Sequence, residues 1–379
     1  MTDFSHIPSP CYVIDEDLLR GNLEIIRAVS ERADVDIIPA LKGFALWGVF
    51  PTMRPYVKGV SASSPNEARL AVEEMKAPAH TYSPAYTDAG FDEILACSSH
   101  ITFNSLNQYC RFREKVLRCG HSISTGLRVN PELAQVDTEL YNPCAPGSRL
   151  GMTQAQLGET LPNGIEGLHI HALCESPAEA TALLIQSVEM KFGQFFPDIK
   201  WINFGGGHLM TQKDYDIELL VKTLQRFRAK YPHIHVILEP GAAFAWETGV
   251  LRATVEDIVI NGGIRTAILD TSFTAHLPDC LEMPYKPRIR GAYEPQSDKP
   301  HWRIGGNSCL AGDYMGKWSF EEEPYIGKTI VFEDMIHYTM VKTTAFNGVP
   351  HPSIGVYSES KGFTLLKSFG YEDYKNRLS

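Results

Sequence analysis

The chain has 379 residues, 44% hydrophobic and 21% charged, with 30 Gly and 24 Pro. This excludes a disordered chain, a collagen-like chain and a small disulfide scaffold, and the length predicts two domains or one large barrel with an appendage. A balance of 45 acidic against 35 basic residues gives a formal charge of −10. That argues against nonspecific nucleic-acid binding, which needs a basic surface; an acidic surface would attract a cationic small molecule instead, though acidity also serves solubility alone.

The eight cysteines, Cys11, Cys97, Cys110, Cys119, Cys144, Cys174, Cys280 and Cys309, are scattered, with no CxxC pair. Their spacing fits neither a zinc site nor a disulfide framework, so reduced thiols in a cytoplasm are expected and no metal is. The N-terminus has no basic segment followed by an apolar one, so no secretory signal is expected. The longest apolar runs, such as 44–50, are too short to span a membrane.

In chain order, Cys11–Ile14 reads as a strand. From about residue 34, β-rich runs alternate with helical stretches. The strands are expected at 35–41, 57–62, 80–84, 100–104, 124–129, 165–171, 200–205 and 234–239. Most are nearly continuous apolar runs, as in parallel strands covered on both faces. Helical spacing marks 65–75, 87–96, 105–118, 177–192 and 213–230. Eight strand–helix units predict a (β/α)8 TIM-like barrel; an open doubly wound sheet is the competing arrangement, disfavoured by the count and by the lack of a GxGxxG after the first strand. No fixed-period repeat is visible, which argues against a solenoid.

After Gly249 the pattern changes to LRATVEDIVINGGIRTAILDTSF, with a Gly-Gly turn at 262–263 and β-like runs at 301–305, 328–333 and 337–342. A second, all-β domain is predicted there, and the strand at Cys11–Ile14 is expected to join it. The expected limits are 24–250 for the barrel, and 1–23 with 251–379 for the C-terminal β-sandwich or β-barrel domain.

Barrel chemistry sits at the C-terminal ends of the strands. Those ends carry Lys42, Arg128-Val129-Asn130, His169-Ile170-His171, Gly205-Gly206-Gly207-His208 and Glu239-Pro240-Gly241. Singly, each has an ordinary explanation: a solvated lysine, a structural histidine, a turn. Together they ring one rim with an amine, an imidazole, a phosphate cradle and a carboxylate. Phosphate sites in barrels are commonly built after strands 7 and 8, where glycine admits close backbone approach. A phosphate there and a lysine on strand 1 point to pyridoxal 5′-phosphate.

The ordered set PALKGF (39–44), SPNEARL (64–70), GLHIHALCE (167–175), NFGGGH (203–208), LEPGAAF (238–244), LDTSFTAHLPDCLEMPY (269–285), GGNSCLAGD (305–313) and FEDMIHY (332–338) resembles the fold-type III pyridoxal-phosphate decarboxylases. These are the group of ornithine/arginine and diaminopimelate decarboxylases, with an alanine racemase-like architecture of barrel plus β domain. GLHIHALCE, GGNSCLAGD and LPDCLEMPY are similar to the carboxynorspermidine (carboxyspermidine) decarboxylase branch, and the likeness covers nearly the whole chain.

The resemblance implies a set of roles. Lys42 carries the cofactor, and His171 stacks on its ring. Gly205, Gly206 and Gly207, with Gly241 and Ala242, hold the phosphate by backbone N–H groups, joined by Tyr338. Glu239 bonds the pyridine nitrogen. Cys309 reaches across a homodimer interface as proton donor. Asp270, Asp279 and Asp313, with Glu239, face the substrate. Ornithine decarboxylase-like relatives place Arg where this chain has Ala242, and Asp where it has Ser61. The implied reaction removes CO2 from carboxynorspermidine or carboxyspermidine in polyamine biosynthesis. The alternatives are diaminopimelate decarboxylase, which needs a cation such as Arg for its substrate's far carboxylate, an alanine racemase-like enzyme, which would want a tyrosine in place of Cys309, and an inactive homologue, which should lack Lys42 or Cys309. The stretch 276–285 offers acids and no Arg, which favours an amine tail.

Overall fold

Short polar motifs set where the barrel helices begin. Glu67 N–H donates to Ser64 Oγ at 3.2 Å while Ser63 N–H donates to Glu67 Oε2 at 2.6 Å. Gln108 N–H donates to Ser105 Oγ at 3.2 Å, and Asn104 N–H to Gln108 Oε1 at 2.7 Å. These reciprocal caps satisfy N–H groups that a helix start leaves without partners, and they open the helices Pro65–Leu70 and Leu106–Leu117.

The computed structural model describes every residue except 1–3, 5 and 137, so part of the predicted 1–23 segment lies outside the described residues. The chain divides into two compact units, Arg20–Phe244 and Met1–Leu19 with Ala245–Ser379. These joints lie a few residues before the expected ones. The helix Glu16–Ala33, not anticipated from the sequence, carries the chain across the first.

In Arg20–Phe244 the strands are Asp36–Ile37, Val60–Ala62, Ala79–Tyr82, Ser98–Phe103, Ser124–Arg128, Gly167–His169, Trp201–Asn203 and His235–Leu238. They form one parallel sheet in which the first strand pairs with the eighth and each other strand with its chain neighbour. A parallel bridge between Ala40 and Ser61 joins the two ends. Leu41 N–H donates to Ser61 O at 3.1 Å and Ser61 N–H to Pro39 O at 2.9 Å. The sheet therefore closes into the eight-stranded barrel. Several strands stop short of their expected C-terminal ends, because those residues turn out into the loops that carry the rim.

The barrel interior explains two glycines. A Cβ at Gly126 or Gly167 would lie 2.4 Å or 2.1 Å from the indole of Trp201. Trp201 fills the space those residues leave, and its Nε1–H donates to Ser124 Oγ at 2.8 Å. Beside it His80 and His100 stack with centroids 4.0 Å apart. The interior is packed with side chains and is not a pore.

In the other unit, Cys11–Asp15 pairs antiparallel with Gly249–Asn261 and parallel with Ser353–Ser358. The sheet continues from Gly249–Asn261 through Ile264–Leu269, Trp302–Gly305 and Tyr314–Phe320, while Thr329–Glu333 also pairs with Gly249–Asn261. The expected strand at 337–342 is absent. Tyr338 has φ 33° and its carbonyl accepts from Lys342 N–H at 2.9 Å, so the segment is a turn. The unit is not purely β: Phe273–His276, Pro278–Glu282 and Tyr371–Asn376 are short helices. Among the described residues no helix is long and apolar enough to cross a membrane, and no disulfide joins the cysteines.

Candidate active site

Lys42 follows the first barrel strand, and its Nζ lies 3.3 Å from His171 Nε2. The opposite ring nitrogen, His171 Nδ1, accepts from Gly206 N–H at 3.0 Å, and His171 O accepts from Arg128 Nη2 at 3.2 Å. Lys42 is reachable by solvent yet encircled by protein. Loss of hydration, then the nearby Arg128, hold its amine below the ordinary lysine pKa. Burial first, then Lys42 and Arg128, hold the His171 imidazole well below the usual histidine value, so it is neutral near pH 7.

Glu239 follows the eighth strand and is buried. His169 Nε2 lies 3.0 Å from Oε2, and Asn203 Nδ2 donates to Oε1 at 2.7 Å. Burial alone raises a carboxyl pKa, but His169, with Asn203 in support, holds Glu239 below its ordinary value. Burial pushes His169 down, so a neutral imidazole donates to a carboxylate. Tyr82 stacks on His169 at 5.3 Å, and the Arg128 guanidinium lies 4.5 Å from the Tyr82 ring centre. Arg128 and His169 stand among the strand-end residues read from the sequence without a role of their own, and Tyr82 and Asn203 are not expected as site residues. Their place at strand ends was the available signal; their partners lie on other strands.

The glycine loop after the seventh strand is shaped by close approach. Gly205 and Gly207 have φ of 72° and 91°, and a Cβ would lie 2.3 Å from Ile170 O or 2.4 Å from Leu173 O. Two of the three N–H groups have internal acceptors. Gly205 N–H donates to Asn203 Oδ1 at 2.8 Å and Gly206 N–H to His171 Nδ1. The Gly207 N–H has no acceptor among the described residues. Gly241 and Ala242 lead into the short helix Ala242–Ala245, after the strand that carries Glu239. Ser61 lies beside Lys42 in backbone pairing, its carbonyl bonded to Leu41 N–H.

The remaining expected residues belong to the β unit. Cys309 is exposed, and its N–H donates to Asn347 Oδ1 at 2.8 Å. Leu310, Tyr314 and Phe346 are also exposed, at 48%, 40% and 46%. Tyr338 sits in the turn after Thr329–Glu333. The three aspartates all have internal partners. Asp270 Oδ1 accepts from Thr254 N–H at 2.8 Å. Asp313 is buried, its oxygens accepting from Thr274 N–H and Ser308 N–H, each at 3.1 Å. Asp279 Oδ1 meets Lys342 Nζ at 2.7 Å, and Lys342 also contacts Glu282 Oε2. Asp270 and Asp313 thus do turn and strand chemistry, whereas Asp279 and Glu282 form an acidic pair around an ammonium.

A separate cavity of about 690 Å³ opens at the ends of the fourth and fifth strands, lined by Asn104, Asn130, Ser148 and Arg149 among others. Lys42, His171 and Glu239 do not line it.

A parallel barrel bearing a lysine–histidine pair, a buried carboxylate and a glycine loop on one rim, followed by a β unit, defines a class, and comparison with known proteins specifies it. Residues 11–336 match the family model described as pyridoxal-dependent decarboxylase, C-terminal sheet domain. The carboxyaminopropylagmatine decarboxylase of Synechocystis sp. is 49% identical, the match covering 99% of this chain and 96% of that one. The carboxynorspermidine/carboxyspermidine decarboxylase of Campylobacter jejuni is 41% identical over 99% of each chain. A crystal structure of carboxynorspermidine decarboxylase with norspermidine, from the same species, superposes with a TM-score of 0.90 at 40% identity, covering 98% of this chain and 100% of that one. The diaminopimelate decarboxylase of Haemophilus influenzae is 27% identical over 53% of each chain.

The chain belongs to the pyridoxal-dependent decarboxylases. It is a carboxy-lyase with pyridoxal phosphate as its cofactor, and its residues fit that group: an amine with depressed basicity, a buried carboxylate held by two donors, and an open N–H in a loop that glycine alone can form.

Proposed function

We propose that the chain decarboxylates a carboxylated polyamine, taking carboxynorspermidine or carboxyspermidine to norspermidine or spermidine and CO2, as a step of polyamine biosynthesis. The observation that carries this reading is the 41% identity along 99% of both chains with an enzyme of that name. A second reading, carboxyaminopropylagmatine as substrate, is favoured by the 49% identical relative. These substrates share the reacting end and differ in the distal cation, an ammonium or a guanidinium. Both need acidic partners, and Asp279 with Glu282 supplies a pair already shaped around the Lys342 ammonium. Diaminopimelate ends in a carboxylate, which that pair would repel.

Pyridoxal phosphate, when bound, supplies the electron sink for the pair left on the α-carbon as CO2 departs. Lys42 is the amine that carries it. The Glu239 carboxylate would hold a proton on the ring nitrogen by making the charged form favourable. Gly207, Gly241 and Ala242 would hold the phosphate by N–H groups, with the Tyr338 hydroxyl. No arginine follows Gly241, so these donors carry more of the affinity. His171 would stack on the ring. The unit is a homodimer in this reading, and the partner subunit's Cys309 gives a proton to the product carbon. Support for the interface comes from the exposed apolar side chains around Cys309.

The test is CO2 release from the protein with pyridoxal phosphate, offered carboxynorspermidine, carboxyspermidine, carboxyaminopropylagmatine, meso-diaminopimelate, ornithine and arginine. Turnover of the first two ahead of the rest is expected. Preference for carboxyaminopropylagmatine selects the second reading, and preference for meso-diaminopimelate overturns both. Borohydride reduction followed by peptide mapping is expected to find the label on Lys42.

A further inference from the structure

The two hydrogen bonds of the His171 ring constrain each other. Gly206 N–H can only donate, so Nδ1, at 3.0 Å, must carry a lone pair. A neutral imidazole with a bare Nδ1 has its proton on Nε2. Nε2–H therefore points as a donor at Lys42 Nζ, 3.3 Å away. An ammonium has three donors and no acceptor, so it cannot take that bond; a free amine, with one lone pair, can.

We propose that His171 is a positioning residue for cofactor capture: with its tautomer set by Gly206 N–H, it holds Lys42 as the free amine before the cofactor arrives. The inference rests on Lys42 being the cofactor lysine. The requirement is chemical. The lone pair of a neutral amine forms the bond to an aldehyde carbon, and the two amine hydrogens leave with the aldehyde oxygen as water. An ammonium has no pair to give.

The surroundings agree with this. Arg128 faces Lys42 and disfavours its ammonium, while Glu239, Cys174 and Glu67 favour it. Arg128, His169 and His208 face His171 and, with Lys42, oppose a second proton on the ring. The Arg128 bond to His171 O fixes the backbone from which the ring hangs. A Cβ at Gly206 would lie 2.5 Å from Glu239 O, so the donor that sets the tautomer is itself held against the strand carrying Glu239.

The test uses the full chain stripped of cofactor. Lys42 is modified with trinitrobenzenesulfonate across a pH series, and the midpoint of its reactivity is read by peptide mass mapping. The rate of pyridoxal phosphate uptake is followed by absorbance in parallel. His171→Phe keeps a ring of similar bulk but removes the Nε2–H donor. Its apolar edge by itself would lower the midpoint further, so a rise can only report the lost hydrogen bond. The expected result is a midpoint raised by about one unit, which slows uptake by up to about tenfold at pH values below the wild-type midpoint and restores it above the new one. His171→Gln, whose amide can donate, should fall between Phe and wild type. An unchanged or lowered midpoint in His171→Phe overturns the proposal. If borohydride labelling of the loaded enzyme finds another lysine, the assignment of Lys42 fails instead, and the reactivity midpoint still reports on the hydrogen bond.

Discussion

Nε2 of His169 stands 3.0 Å from Oε2 of Glu239, with both side chains buried and Asn203 on the other carboxylate oxygen. A carboxylate so held presents a fixed negative charge at the barrel mouth. Replacing Glu239 with Gln keeps the shape and removes that charge. We expect kcat to fall by about a hundredfold or more while the protein still folds. Steady-state kinetics with circular dichroism checks this; wild-type kcat in Glu239→Gln would remove Glu239 from the ring-nitrogen role.

The shared-site reading makes a prediction about mixtures. Lys42 belongs to one compact unit and Cys309 to the other. Lys42→Ala and Cys309→Ala homodimers should each be inactive. Equal mixing and subunit exchange should restore about a quarter of wild-type activity, because half the dimers are hybrids with one intact site of two. Full exchange without recovery would show that each site is built within one chain.

Asp279 shares the Lys342 ammonium with Glu282. A substrate cation competing for this pair meets less attraction when Asp279 is neutralised. If the pair holds the distal cation as proposed, Asp279→Asn should raise KM for the preferred substrate about three- to tenfold, with kcat changed less, because a contact to a non-reacting amine is made equally in ground and transition states. Salt should raise the wild-type KM by screening and raise that of Asp279→Asn less. Equal salt sensitivity in the two proteins would place the substrate cation elsewhere.

Buried histidines make the fold acid-sensitive. Burial, with the neighbouring His351 adding to it, pushes His276 down to about 4, and burial pushes His208 to about 4; His80 falls to about 3 by burial and its neighbour His100. The folded-state values lie below the unfolded ones, so their stability contribution is complete above about pH 6.5. As pH falls from there toward 4, the unfolded chain takes up protons that the folded chain refuses, and stability is lost. Each pKa unit is worth about 1.4 kcal/mol. Tm should therefore drop steeply between pH 6.5 and 4.5, and His276→Gln should flatten that slope. A Tm that holds level across this window would contradict it.

The sequence by itself determined the periodic features: eight parallel strands, the helices between them, and the placement of Lys42, His171, the glycine triplet and Glu239 at strand ends. These are local, set by hydrophobic spacing and by residues a few positions apart. The tertiary structure decided which donors meet which acceptors. The Gly206 N–H goes to His171, 35 residues away, and Lys342 reaches Asp279, 63 residues away. Asp270 and Asp313, conspicuous as acids in the sequence, turn their oxygens to backbone N–H groups. The helix Glu16–Ala33 precedes the strand–helix alternation that marks the barrel, and at 337–342 the positive φ of Tyr338 breaks a run that its composition favours as β. A hydrogen bond between distant residues leaves no period in the chain, because its geometry is created only when the strands and loops of each unit pack together.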